Sequence, residues 1–301
     1  MYREHFGLKE LPFGITPDTS FFYACSRYQE ALNTLLVAVR AGEGFIKITG
    51  EVGTGKTMLC RTFLSSLRDE FFTAYIPNPY LEPRTLMLAL AEELEIPQDK
   101  DVDQYHLLKA INFRLLDLAR EGRRALLCLD EVQAMPIETL EALRLLTNLE
   151  TEKQKLLQIV LFGQPELDRK LQQDAVRQLS QRITFHYHLG ALEKNELPHY
   201  LAHRLQVAGY KGGQLFGKAA ERALFEASGG VPRMVNILGH KALLMAYGEG
   251  EREITARHVK GAATDTQAAR RPKFAARGWL LLSLLASMVA AGGLLIWGRL
   301  S

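Results

Sequence analysis

Short apolar runs alternate with amphipathic stretches between residues 43 and 190. The runs are rich in β-branched and aromatic residues and short for buried helices, so they predict strands. They are FIKIT (45–49), FFTAYI (71–76), ALLCLD (125–130), LLQIVLFG (156–163) and ITFHYHL (183–189). Helical periodicity lies between them, at about 56–69, 83–95, 103–121, 137–149 and 165–181. This alternation predicts an α/β fold, with helices on both faces of a parallel sheet.

The pattern changes on both sides of this α/β region. Residues 6–24 mix Pro, Gly and aromatic residues and predict an irregular lead-in to a helix over 27–41. After Leu192 the strand-like runs stop, and helical stretches at about 193–208, 216–228, 232–247 and 255–262 predict a small all-α unit. The predicted divisions are a lead-in with its helix (1–42), the α/β domain (43–190), the all-α lid (191–262), a basic linker (263–278), an apolar segment (279–297) and a short tail (298–301).

The apolar segment, WLLLSLLASMVAAGGLLIW, contains no charge in 19 positions. As a helix it would be about 28 Å long, close to the ~30 Å hydrocarbon core of a bilayer. Trp279 and Trp297 bracket it, and the basic stretch RRPKFAAR precedes it, which favours a cytoplasmic position for that flank. We expect one transmembrane helix with the body of the protein in the cytoplasm. The alternative is a buried C-terminal core helix, which would usually show a polar stripe.

Charge is divided unevenly along the chain. Residues 262–301 contain five basic residues and one acidic residue, a net of +4, whereas the whole chain has a net charge of +3. The body up to residue 261 therefore has a net charge of −1, which does not favour a nucleic-acid-binding surface. The three cysteines are scattered without a CxxC pair, as is typical of reduced thiols in the cytosol.

A glycine-rich loop follows the first strand-like run and precedes a helical stretch. Its sequence, GEVGTGKT, matches GxxxxGK[ST], a phosphate-binding loop in the strand–helix context that this motif requires. The backbone N–H groups of such a loop cradle polyphosphate, the lysine reaches the β- and γ-phosphates, and the hydroxyl ligates Mg²⁺. The predicted nucleotide-binding residues are Gly50, Glu51, Val52, Gly53, Thr54, Gly55, Lys56 and Thr57.

An acidic pair ends the buried run ALLCLDE, at the strand end where open α/β sheets bind ligands. We expect Asp130 to hold Mg²⁺ together with Thr57, and Glu131 to orient or deprotonate the attacking water. Gln164 ends the next strand and is either a second group on that water or a turn residue before Pro165. The sequence therefore predicts hydrolysis of a nucleoside triphosphate.

Three arginines are candidates for stabilising charge on the γ-phosphoryl group. Arg177 and Arg182 lie in VRQLSQRI, a region that faces the neighbouring subunit in ring-forming ATPases, and Arg182 is the preferred residue of the two. Arg233 follows Pro232 at the start of a lid helix, from which it could fold over the nucleotide or simply cap the helix. His186 with His188, and His199 with His203, lack a third ligand, so we interpret both pairs as surface residues.

Taken together, these motifs resemble the ExeA-like secretion ATPases of the AAA+ superfamily. The resembling stretches cover about residues 5–260: FGLKELPFGITPDTSFFY, GEVGTGKT, LCLDEVQAM, LRLLTNLET, IVLFGQPEL, SQRITFHYHLG and SGGVPRMVN. The resemblance implies a five-stranded P-loop ATPase domain with a helical lid, ATP and Mg²⁺ as ligands, and hydrolysis at a subunit interface of a homo-oligomer. It also implies that Gln164 is sensor 1, in place of the more usual Asn, Arg182 an arginine finger and Arg233 sensor 2.

The same resemblance suggests an inner-membrane protein that works with assembly proteins of a type IV pilus, similar to the mannose-sensitive haemagglutinin (MSHA) pilus, or of a secretion apparatus. ExeA-like proteins typically continue into a periplasmic peptidoglycan-binding domain. This sequence ends four residues after Trp297, which favours the pilus interpretation. Export systems of the exopolysaccharide or exosortase type, a DNA-transposition helper and a non-hydrolysing nucleotide sensor are the alternatives.

Overall fold

The computed structural model describes residues 2–16, 18–67, 70–97, 102–146, 149–150 and 155–269. The apolar segment 279–297 and most of the predicted linker lie outside these residues. Within the described part of the chain, no helix is long and apolar enough to cross a bilayer.

Five parallel strands form one sheet in the order β2-β3-β4-β1-β5. The strands are β1 (Phe45–Thr49), β2 (Phe71–Ile76), β3 (Arg124–Leu129), β4 (Leu157–Gly163) and β5 (Phe185–His188). The register pairs Thr49 at the end of β1 with Gly163 of β4 and with His188 of β5. The carboxyl ends of the three strands therefore lie side by side, and the predicted parallel α/β sheet is confirmed.

Helices cover both faces of the sheet, and four more form the lid. They are α1 (Tyr2–Phe6), α2 (Ser26–Arg40), α3 (Lys56–Ser65), α4 (Pro83–Glu93), α5 (Gln104–Arg120), α6 (Ile137–Leu146), α7 (Glu166–Leu171), α8 (Arg177–Ser180), α9 (Leu197–Val207), α10 (Lys218–Ser228), α11 (Pro232–Gly248) and α12 (Ala256–Thr264). Alternate strand residues point to opposite faces. In β4, Val160 and Phe162 pack in the core that includes α2, α3 and the lid, whereas Ile159 and Leu161 pack in the core that includes α4, α5 and α6.

The helix predicted over 165–181 is wrong as one element. It consists of α7, a 3-10 turn over Asp174–Val176, and α8. Leu167 and Leu171 are buried four residues apart, but the next buried residue is Val176, five residues further on. One straight helix cannot place that spacing on a single face, so the chain turns after α7 to bring Val176 into the core.

The predicted boundary between the lid and the linker also moves. Helix α12 continues to Thr264, and Ala269 is buried. Lys241 of α11 fixes this stretch, because its Nζ donates to Asp265 Oδ2 at 2.7 Å and to Thr266 Oγ1 at 3.0 Å. Residues 263–269 therefore pack on the lid and are not part of a linker.

The N-terminal segment, which we define as residues 2–25, runs across the lid before it enters α2. The Tyr2 hydroxyl forms a hydrogen bond with His240 Nδ1 at 2.9 Å. Phe13 is buried against Phe216, with 5.8 Å between the ring centroids. A short 3-10 turn over Thr19–Phe21 then leads towards the glycine-rich loop. The segment thus connects the lid with the edge of the sheet where the predicted site lies.

Candidate nucleotide-binding site

The glycine-rich loop joins β1 to α3 and wraps around the side chain of Lys56. Gly53 and Gly55 have φ values of 80° and 102°, a left-handed conformation that glycine adopts without strain. Lys56 is buried, and its Nζ donates to the carbonyls of Gly50 at 2.8 Å and Glu51 at 3.1 Å. Burial lowers the pKa of Lys56 from its ordinary value. The loop therefore holds an ammonium group at the carboxyl end of β1, where phosphate would be bound.

Tyr28 supports this loop from α2, a contact that the sequence analysis missed. Its hydroxyl donates to the carbonyl of Gly55 at 2.9 Å, and its ring lies 4.6 Å from that of Phe22. Burial raises the pKa of Tyr28 far above its usual range, so the phenol stays protonated as a donor. Only the helical spacing of α2 could have indicated a buried residue here.

Thr57 and Asp130 meet as predicted. Thr57 Oγ1 donates to Asp130 Oδ2 at 2.7 Å, and the backbone N–H of Asp130 donates to the carbonyl of Ile76 at 3.0 Å. Asp130 is buried, and burial raises the pKa of its carboxyl group. A buried carboxylate beside a hydroxyl offers the hard oxygen ligands that Mg²⁺ prefers. These two side chains therefore fit a magnesium site.

Glu131 lies immediately beyond Asp130 in an unusual backbone conformation. Its φ is 54°, left-handed for a residue that has a Cβ, which costs about 1–3 kcal/mol. Its Oε2 accepts from Gln164 Nε2 at 3.1 Å, which brings the predicted water-activating pair together. Gln133 Nε2 also donates to this oxygen. Sequence analysis missed Gln133, since one amide two residues after an acidic pair carries no specific signal.

A cavity of about 240 Å³ opens beside these groups. Its walls come from the glycine-rich loop, Glu131, the N-terminal segment and the lid. Arg233 lines it from the start of α11, and the backbone N–H of this residue donates to the carbonyl of Gly53 at 3.2 Å. Arg204 and Asn236 of the lid line it as well. The structure thus places Arg233 at the cavity, as the sequence analysis expected.

Arg182 lies in the turn before β5 and does not line this cavity. The carboxyl end of β5 is the end beside the site, where His188 Nδ1 lies 3.2 Å from Thr49 Oγ1. Arg182 therefore lies at the amino end of β5, at the opposite end of the parallel strands from the loop. Arg177, on α8, is exposed. Within one chain, the structure brings together every predicted site residue except Arg182.

None of the four histidines lines the cavity, and His186, His188 and His199 are exposed. The prediction of a surface residue is wrong for His203, whose Nε2 is buried and whose ring lies 5.5 Å from that of Tyr23. One other group in the described residues has the spacing of metal ligands, Glu249, Glu251 and His258. There, His258 Nδ1 accepts from the backbone N–H of Thr255 at 3.1 Å, and its Nε2 lies 2.9 Å from Glu249 Oε2. The buried histidine thus completes the N-terminal cap of α12.

The parallel sheet, the phosphate-binding loop and the Asp130–Glu131 pair together form the site of an ATPase. Residues 39–171 match a family described as AAA domain. The chain is 41% identical over 298 residues to general secretion pathway protein A of Aeromonas hydrophila, and this alignment covers 99% of the chain and 54% of that relative. The chain therefore spans about half the length of this relative.

Solved structures show the same fold at low sequence identity. The Aeropyrum pernix ORC2 protein aligns with a TM-score of 0.60 at 18% identity, covering 89% of this chain and 75% of its own. Cdc6p from Pyrobaculum aerophilum gives 0.64 at 15% identity, with coverages of 82% and 70%. The Thermotoga maritima RuvB branch migration motor gives 0.53 at 17% identity, with coverages of 79% and 68%.

Proposed function

We propose that this chain is a membrane-anchored ATPase that uses ATP hydrolysis to support assembly of a secretion apparatus or of a type IV, MSHA-like pilus. The observation that carries the proposal is the site formed by buried Lys56 and Asp130 with Thr57 and Glu131, in a chain that is 41% identical to a general secretion pathway protein. The uncharged segment 279–297 supports membrane anchoring. The inner membrane is the expected location.

Each residue of the site has a distinct role in this proposal. Lys56 would bind the β- and γ-phosphates, while Thr57 and Asp130 would hold Mg²⁺, which would supply positive charge next to the phosphates. Water attacks the γ-phosphorus, the bond to the bridging oxygen breaks, and ADP leaves with that electron pair. Glu131 accepts the proton that the water loses, and Gln164 holds the carboxylate that does so.

The arginines complete the site from two directions. Arg233 lines the cavity from the lid and would reach the nucleotide within the same chain. Arg182 lies at the amino ends of the strands, away from the cavity, so it would reach a nucleotide only if that nucleotide were bound to a neighbouring copy. This position supports a homo-oligomer in which one subunit completes the site of the next, with Arg177 as the alternative arginine.

The pilus assignment is the finer part of the proposal, and an exopolysaccharide or exosortase-type export system is its nearest alternative. A DNA-transposition helper is disfavoured because the body up to residue 261 has a net charge of −1, whereas DNA binding needs a clustered basic surface. A non-hydrolysing sensor is disfavoured because Glu131 is present and hydrogen-bonded beside the cavity.

Two substitutions separate nucleotide binding from turnover. Lys56→Ala should abolish ATP binding, because it removes the ammonium group that the loop encloses. Glu131→Gln should bind ATP like the wild type but lose turnover by at least about 100-fold, since an amide cannot accept the proton. Isothermal titration and a phosphate-release assay measure the two properties. Full turnover by Glu131→Gln would contradict the proposed mechanism.

The same assay tests the shared site. Arg182→Ala should bind ATP and lose turnover, and mixing it with Glu131→Gln subunits should restore activity, because some interfaces then combine an intact Glu131 with an intact Arg182. Arg177→Ala, from the same region, tests the alternative arginine in the same assay. If the mixture stays inactive while each variant still oligomerises, Arg182 does not act across an interface.

A further inference from the structure

We propose that Gln133 is a positioning residue for hydrolysis, which holds the Glu131 carboxylate so that one of its oxygens is left for the attacking water. The inference rests on the proposed role of Glu131 as the proton acceptor. It assigns a function to a side chain that lies beyond the acidic pair and outside the phosphate-binding loop.

Gln133 lies in a short 3-10 turn, Val132–Ala134, directly after β3. The two ends of its amide contact different partners. Its Oε1 accepts from the backbone N–H of Gln164 at 2.9 Å, and its Nε2 donates to Glu131 Oε2 at 2.5 Å. Gln133 therefore connects the carboxyl ends of the neighbouring strands β3 and β4 through one side chain.

The network fixes which way the amide points. The backbone N–H of Gln164 can only donate, so it requires the oxygen of Gln133, and the nitrogen must then face Glu131. Gly163 leaves room for this arrangement, because a Cβ at this position would lie 3.3 Å from Gln133 Oε1 and 2.8 Å from the Leu167 side chain. The end of β4 is thus shaped to receive the amide.

Both described hydrogen bonds to the carboxylate fall on the same oxygen. Glu131 Oε2 accepts from Gln133 Nε2 and from Gln164 Nε2, and no described hydrogen bond uses Oε1. Glu131 also lines the cavity beside Lys56 and Thr57. One oxygen is therefore anchored by two amides, while the other is available to accept a proton from water.

The backbone of Glu131 needs such an anchor. Its left-handed φ of 54° is strained, and strain of this kind persists only where the surroundings hold it. The backbone N–H of Glu131 donates to Asp130 Oδ1 at 2.9 Å, and its carbonyl accepts from Ala134 at 2.9 Å. Gln133 extends this restraint from the backbone to the carboxylate, because it fixes the far end of the side chain.

The test uses a substitution of almost unchanged shape. Gln133→Glu keeps an oxygen to accept from Gln164 N–H but replaces the donor with a carboxylate oxygen that repels Glu131. We expect kcat for ATP to fall at least about 10-fold, because small displacements of a catalytic group are costly, while KM and analogue affinity change less than about 2-fold. Gln133→Met, which is neutral and similar in size, should also lower kcat while KM and analogue affinity change little. Gln172→Glu, on an exposed residue at the end of α7, is the matched control.

A double substitution distinguishes positioning from general loosening of the fold. In a Glu131→Gln background, Gln133→Met should leave the residual single-turnover rate unchanged, because the group that it positions is already absent. A further loss of the single-turnover rate in the double variant would overturn the inference. An unchanged or raised kcat in the single Gln133 variants, or a rise in KM alone, would also overturn it. If wild type shows no turnover or Glu131→Gln retains it, the proposed function fails instead. Gln133→Met carries the test if Gln133→Glu does not fold.

Discussion

Gly53 shapes the phosphate-binding loop and also leaves room for Arg233 of the lid. Its φ of 80° shapes the phosphate-binding loop, and a Cβ added to it would lie only 2.6 Å from the Cβ of Arg233. The carbonyl of Gly53 also accepts from the backbone N–H of Arg233. The absence of a side chain is therefore what allows the start of α11 to lie directly on the loop.

Gly53→Ala should separate the lid from the loop. The new methyl group must displace Arg233 and is strained by the left-handed backbone, a combined cost of about 1–3 kcal/mol. We expect a lower melting temperature and an ATP dissociation constant raised by about 10-fold. Calorimetry measures both.

Gly248→Ala is the control, since a Cβ there meets no atom within 4 Å. Equal stability and affinity for Gly53→Ala and wild type would show that the lid does not depend on this contact.

At the scale of elements, the N-terminal segment forms a wall of the cavity, and a buried arginine of α9 fastens it. Arg204 Nε donates to the carbonyl of Pro12 at 2.5 Å, and its guanidinium lies 4.7 Å from the centre of the Phe21 ring. Asn236 of α11 donates to the carbonyl of Gly14 at 3.2 Å. The segment that reaches Tyr28 and the loop is therefore fixed by the lid at its other end.

Arg204→Met should weaken this wall while it keeps the aliphatic length of the side chain. Loss of the guanidinium leaves the carbonyl of Pro12 without its donor, which costs about 1–3 kcal/mol. We predict a lower free energy of unfolding and weaker ATP binding. Denaturant unfolding and fluorescence titration with a labelled ATP analogue measure these effects.

The comparison variant is Arg222→Met, which changes an exposed arginine of α10. If both variants bind ATP with wild-type affinity, the lid does not control the wall of the cavity.

At the scale of the whole molecule, the body and the C-terminal stretch of the sequence differ in charge and hydrophobicity. The body up to residue 261 is nearly neutral, whereas the stretch RRPKFAAR is basic and is followed by 19 uncharged residues. A basic flank next to an apolar segment is the arrangement expected where a chain enters a membrane from the cytoplasm. The nucleotide site belongs entirely to the body, so catalysis and anchoring should be separable.

A chain truncated after residue 269 tests this separation. We expect the whole chain to sediment with membranes and to resist alkaline carbonate, because 19 uncharged residues are close to the length of one bilayer crossing. The truncated chain should remain in the supernatant and still bind ATP, since residues 2–269 contain the complete cavity. Release of the whole chain by carbonate would contradict the anchor, and loss of ATP binding by the truncated chain would contradict the separation.

Local sequence determined the parts of the site that are continuous along the chain. The phosphate-binding loop and the Asp130–Glu131 pair were predictable because each is a short motif between a strand and a helical stretch. The strands were predictable for a similar reason, since apolar runs in a doubly covered parallel sheet need little long-range information. The order of the strands then brings the two motifs to one edge of the sheet.

Only the tertiary structure decided which isolated residues join that edge. Tyr28, Gln133 and Arg204 belong to no motif, yet each hydrogen-bonds a different part of the site: the loop, Glu131 and the N-terminal segment, respectively. The break between α7 and α8 has the same origin, because burial of Val176 outweighs continuation of the helix. A motif encodes chemistry in adjacent residues, whereas the hydrogen bonds that hold its side chains depend on partners that only the folded chain brings within reach.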